Sequence, residues 1–204
     1  MADLAGDAPD LPVTRMPVGS PGRKSSGWYG ILALIATEAS LFVYLLFSFY
    51  FSWVWADGPF LPTRHPDIRL SGPDTVILIL SSVAVWWGER GIRSPRRWQA
   101  PLGVGIAILL GTLFLVIQYF EWAAKPYRLA TSPYASFYFT ITGFHMAHVV
   151  LGVLILIALF VWSLMGFFDE KRHAPLTIGS IYWHFVDVVW LFIFFTFYVT
   201  PYLG

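Results

Sequence analysis

Residues 182–192 read Tyr182-Trp183-His184-Phe185-Val186-Asp187-Val188-Val189-Trp190-Leu191-Phe192. The run is apolar and aromatic apart from one histidine and one acid, three residues apart. Three-residue spacing places His184 and Asp187 on one helix face, where they can pair directly or each bond a neighbouring helix. A charged aspartate near the centre of a bilayer helix costs roughly 2.5–3.5 kcal/mol, so Asp187 needs a partner or a purpose. The apolar stretch around it, near 177–200, is long enough to span a bilayer.

Outward from this segment, composition places the whole chain in a membrane. Hydrophobic residues make up 57% and charged residues 12% of the 204, against about 25% charged in soluble domains. The 18 Phe, 10 Trp and 10 Tyr suit helix contacts and interfacial belts. Cysteine is absent, which excludes a disulfide scaffold, a thiolate-ligated cluster and a cysteine-ligated copper centre in this chain. A formal net charge of +1 without a basic block gives no sign of a nucleic-acid partner.

Five segments, near 28–53, 73–91, 101–122, 135–165 and 177–200, are long and apolar enough to cross. The expected fold is therefore all-α: a polytopic bundle of five transmembrane helices over residues 28–204. Residues 1–27 lack an apolar signal-peptide core and read as a polar, Pro/Gly-rich tail, mobile by composition. The fourth segment exceeds what a bilayer needs and should tilt or project. Nine basic residues (Arg15, Arg23, Lys24, Arg90, Arg93, Arg96, Arg97, Lys171 and Arg172) fall on the N-terminal side of the membrane, against Arg64, Arg69, Lys125 and Arg128 opposite. The positive-inside rule then puts the N-terminus in the cytoplasm and the C-terminus outside.

Phosphate-binding loops, nucleophile elbows and internal repeats are missing from the sequence, so intramembrane polar residues must carry any chemistry. Glu38, in Thr37-Glu38-Ala39-Ser40-Leu41-Phe42, lies near mid-membrane in the first segment. It reads as a neutral acid bonded to a histidine or hydroxyl on another helix, with proton handling as the alternative. His145 and His148, in Gly143-Phe144-His145-Met146-Ala147-His148-Val149, share a face of the fourth segment. Hydrogen bonding to Glu38, carbonyls, water or a lipid headgroup is favoured over a metal, because Met146-Ala147 offers no carboxylate. Gln118 and Glu121, in Gln118-Tyr119-Phe120-Glu121-Trp122, share a face at the outer end of the third segment, with Lys125 or Arg128 as salt-bridge partners for Glu121. Asp74-Thr75 stands where a helix N-cap and first turn belong.

These blocks, in this order, resemble subunit III of haem-copper respiratory oxidases. The resemblance runs from about Gly27 to the C-terminus and rests on "YWHFVDVVWLF", "GFHMAHV", "QYFEW", Asp74-Thr75 with Ser81-Ser82, and Thr37-Glu38 with Phe42. It identifies Glu38 with the family's carbodiimide-reactive acid. Family members commonly have seven helices, and this chain lacks the first two. The five-helix form implies a bacterial plasma membrane. The resemblance further implies a non-redox accessory subunit of a complex that reduces oxygen to water and pumps protons. Its partners would be core subunit I, subunit II, possible further respiratory subunits and membrane lipid. The resemblance implies haem and copper in the partner subunits and none in this chain, which could hold phospholipid. Whether cytochrome c or quinol is the electron donor is not written in these residues. An accessory subunit of a nitric oxide reductase is the alternative, and a membrane b-type cytochrome using His145 or His148 with His184 is a third reading of a different class.

Overall fold

The computed structural model describes residues 26–62, 68–92, 98–168 and 173–202. The expected N-terminal tail, and the basic residues Arg15, Arg23, Lys24, Arg64, Arg93, Arg96, Arg97, Lys171 and Arg172, lie outside these. Among the described residues there are five long helices and no strand: α1 (Ser26–Val54), α2 (Ile68–Ile92), α3 (Gln99–Ala124), α4 (Pro133–Leu164) and α5 (Ala174–Phe194). Each contains a stretch long and apolar enough to cross a membrane. At 1.5 Å per residue, the 32 residues of α4 extend about 48 Å, well beyond a 30 Å hydrocarbon core. Its start follows local chemistry: Ser132 caps it by accepting from the Ala135 N–H at 3.1 Å, and Pro133 fills the first helical position, where a missing N–H costs nothing.

One expectation fails. The helix start read at Asp74-Thr75 lies inside α2, which begins at Ile68 and contains Pro73. As the sixth residue of α2, Pro73 gives up the N–H that would donate to the Arg69 carbonyl, and the turn before it is held instead by the buried Ser71, which bonds Glu121 of α3. Asp74 is consequently no cap; it is fully buried in the bundle.

Helix α5 is the centre of the bundle, packed against α1, α2 and α4, while α2 and α3 form a tight antiparallel pair and α4 packs on α3. The α2 and α3 backbones approach closely at a pair of glycines. A Cβ added to Gly103 would lie 2.6 Å from the Ala84 carbonyl oxygen and 2.7 Å from Gly88 Cα. Small residues at such crossings let backbones meet where no hydrophobic effect drives them together. Trp183 of α5, fully buried, sits between Gly111 of α3 and Gly152 of α4; a Cβ on either would come within 2.9 Å of its ring. Its Nε1–H donates to Ser81 Oγ of α2 at 3.0 Å. One indole thus touches three other helices.

Beyond Phe194, α5 continues as a π-helical turn (Phe195–Val199) and a 3-10 turn (Thr200–Tyr202). Pro201 cannot donate a ladder hydrogen bond and crowds the carbonyl four residues back, which disfavours regular α geometry here. Tyr50 of α1 lies 3.1 Å from Thr196 Oγ1 and 3.2 Å from Thr200 Oγ1, docking α1 on this segment.

Candidate functional site

Polar side chains that link the helices form three clusters. The first is in the half of the bundle that contains the start of α5. Thr177 Oγ1–H donates to Glu89 at 2.7 Å. One to two turns further along, Ser82 of α2 sits between His184 and Asp187. Its Oγ lies 2.8 Å from His184 Nδ1 and its hydroxyl donates to Asp187 Oδ2. Because that proton is committed to the carboxylate, Ser82 must accept from His184, which fixes the ring proton on Nδ1. His184 Nε2 is then free to accept from Ser180 Oγ, 3.3 Å away. The expected direct His184–Asp187 pairing is thus replaced by a serine bridge.

The second cluster joins α1 to α4. Glu38 Oε2 and His148 Nε2 are 2.9 Å apart, and His148 Nδ1–H donates to the Phe144 carbonyl at 2.7 Å. Since a carbonyl only accepts, Nδ1 carries a proton and the Glu38–His148 contact shares one more. The Phe42 ring packs edge-on against His148 with centroids 5.1 Å apart. Of the two histidines offered as partners for Glu38, only His148 meets it. His145 is fully buried, stacked on Trp190 at 5.1 Å and flanked by Phe114 at 6.0 Å.

The third cluster is at the C-terminal ends of α3 and of the segment that continues α5. Glu121, 4% exposed, accepts from Lys125 Nζ at 2.8 Å, from Ser71 Oγ at 3.2 Å and from the Tyr198 hydroxyl. With the Tyr198 proton committed, Tyr138 Oη, 3.0 Å away, donates to Tyr198. The Lys125 ammonium lies over the rings of Tyr138 and Tyr198 at 5.1 and 5.3 Å. Lys125, not Arg128, is the ionic partner, and protein encloses the carboxylate. In the adjoining loop, burial and then the Glu121 charge push the Tyr127 phenol up to about 12. Gln118, one turn inward from Glu121, is fully buried.

Sequence reasoning did not foresee the roles of Ser71, Ser82, Tyr138, Trp183 and Tyr198. Partial signals exist in the small residues opposite the tryptophans and in the Ser81-Ser82 pair on α2.

Among the described residues, no group of three or more His, Asp or Glu side chains is placed to hold a metal ion. The bis-histidine haem arrangement does not fit either. His148 is engaged at both nitrogens, His184 is bridged through Ser82, and aromatic rings cover His145.

A membrane-spanning helical bundle in which several interior polar groups tie one helix to another is the class these features define. The chain belongs to the cytochrome c oxidase subunit III family, whose model matches residues 24–202. It is 37% identical over 140 residues to "Cytochrome c oxidase subunit 3" of Spodoptera frugiperda, covering 69% of this chain and 92% of that one. The Homo sapiens protein of the same name is 31% identical over 179 residues, covering 83% of this chain and 68% of its own length. That of Petromyzon marinus is 30% identical with the same coverage. These relatives are animal proteins, so the bacterial origin expected from the helix count is not borne out.

Proposed function

We propose that this chain is a non-redox accessory subunit of a haem-copper oxidase, assembled with the subunits that carry haem and copper. In this role it braces the core subunit, supports proton uptake and holds lipid. The observation that carries the reading is the use of the intramembrane histidines: His148 hydrogen-bonds Glu38, His184 hydrogen-bonds Ser82, and the His145 ring packs between Trp190 and Phe114. Side chains committed in this way supply packing and hydrogen bonds, while the redox chemistry falls to partner subunits. The Glu89–Thr177 and His184–Ser82–Asp187 groups put titratable side chains in the half of the bundle that the proposed topology turns to the cytoplasm, which supports a part in proton uptake. An open apolar groove along α3 and α4, lined by Leu102, Ile106, Leu109, Phe160 and Leu164, suits an acyl chain. The proposed topology places the N-terminus inside and the C-terminus outside, on the positive-inside rule.

Affinity purification of the tagged chain from its own membrane tests this role. Copurification with larger haem- and copper-containing subunits that consume oxygen supports it. Copurification with a complex that turns over nitric oxide and not oxygen favours the reductase alternative.

A further inference from the structure

We propose that Asp74, Gln118 and His145 enclose a buried water site in the middle of the bundle. This is independent of the accessory-subunit role. All three side chains are fully buried. Neither carboxylate oxygen of Asp74, neither amide atom of Gln118 and neither ring nitrogen of His145 has a hydrogen-bond partner among the described residues. Buried polar groups are nearly always paired with protein or ordered water, so three of them together point to a shared ligand.

The helix register brings the three together. The antiparallel α2–α3 pair sets Ser71 against Glu121 at 3.2 Å and Gly88 against Gly103. Three residues inward from the first contact on each helix, the same register sets Asp74 opposite Gln118. Trp190 brings in α4, since its ring stacks on His145 while its Nε1–H donates to Thr75, the neighbour of Asp74, at 3.0 Å. Phe114, one turn from Gln118 on the same face, packs edge-on against His145.

The donor set selects the ligand. Asp74 brings a carboxyl group, Gln118 both donates and accepts, and a neutral imidazole has one donor and one acceptor. Water, which donates twice and accepts twice, matches such a mixture. A metal ion would leave the amide and imidazole N–H donors of Gln118 and His145 unused, and an anion would face the carboxyl group of Asp74.

The test uses the assembled complex purified in nanodiscs. A structure at a resolution that shows ordered water should place at least one water within hydrogen-bonding distance of Asp74 and of Gln118 or His145. Direct bonds among the three side chains, or density with metal-like coordination, would overturn the proposal. Independently, D74L and Q118L should each shorten the half-life of the complex at a fixed elevated temperature by about tenfold, each stranding what the water bridged. The double variant D74L/Q118L should lose much less than the product of the two, because the pair shares one ligand. Single variants without effect, or fully multiplicative losses, would count against a shared site.

Discussion

At the scale of single residues, the hydrogen-bond directions are decided by groups that can act in only one way. The Phe144 carbonyl forces a proton onto His148 Nδ1, so Glu38 and His148 hold one proton between them across 2.9 Å. Glu38→Gln keeps a donor for Nε2 and should leave the assembled complex and its proton pumping largely intact. Glu38→Ala strands Nε2 and should lower stability by about 1–3 kcal/mol, seen as a fall in the thermal midpoint of the complex. If Glu38→Gln abolished pumping with assembly unchanged, Glu38 would be a proton carrier rather than a tie between α1 and α4. Ser82 offers a parallel case, because one hydroxyl serves both His184 and Asp187. Ser82→Ala removes both contacts and should cost at least as much as Glu38→Ala in the same melting assay. The sequence identified Glu38, His148, His184 and Asp187 as residues needing partners, since an apolar helix makes a polar residue conspicuous. It could not say which partners, because Ser82 is about a hundred residues from His184 and only the helix register brings them together.

At the scale of helices, glycine positions set how closely the elements approach. Gly103→Ala would push a methyl group against the backbone of α2 at Ala84 and Gly88, where no side chain can swing away. Overpacking of this kind costs typically 1–3 kcal/mol. Gly30→Ala, inside α1, meets nothing within 4 Å and should leave the thermal midpoint unchanged or slightly raised. Equal effects of the two substitutions would mean that the α2–α3 contact is looser than described. The helices themselves were legible wherever apolar length dominates. The exception, the start of α2, was hidden because Pro73 followed by Asp74 imitates a helix N-terminus. What keeps the preceding turn helical is tertiary: Ser71 is fully buried and bonded to Glu121 of α3. No local pattern could report that contact.

At the scale of the molecule, a bundle built around α5 leaves α1 the least buried of the five helices, held by Glu38–His148 and by Tyr50 against Thr196 and Thr200. On the positive-inside rule, reporter fusions should find the N-terminus in the cytoplasm and the C-terminus outside. Both termini on one side would require an even number of crossings, against the five long apolar helices of the described residues. The central claim is that interior polar groups here hold a helical subunit together while redox chemistry resides in its partners. The most direct measurement is a visible spectrum and elemental analysis, taken first on the copurified complex and then on this chain separated from it. The expected result is a Soret band with iron and copper in the complex, and neither band nor stoichiometric metal in the separated chain. A Soret band that stays with this chain and disappears on substitution of His145, His148 or His184 would contradict the account.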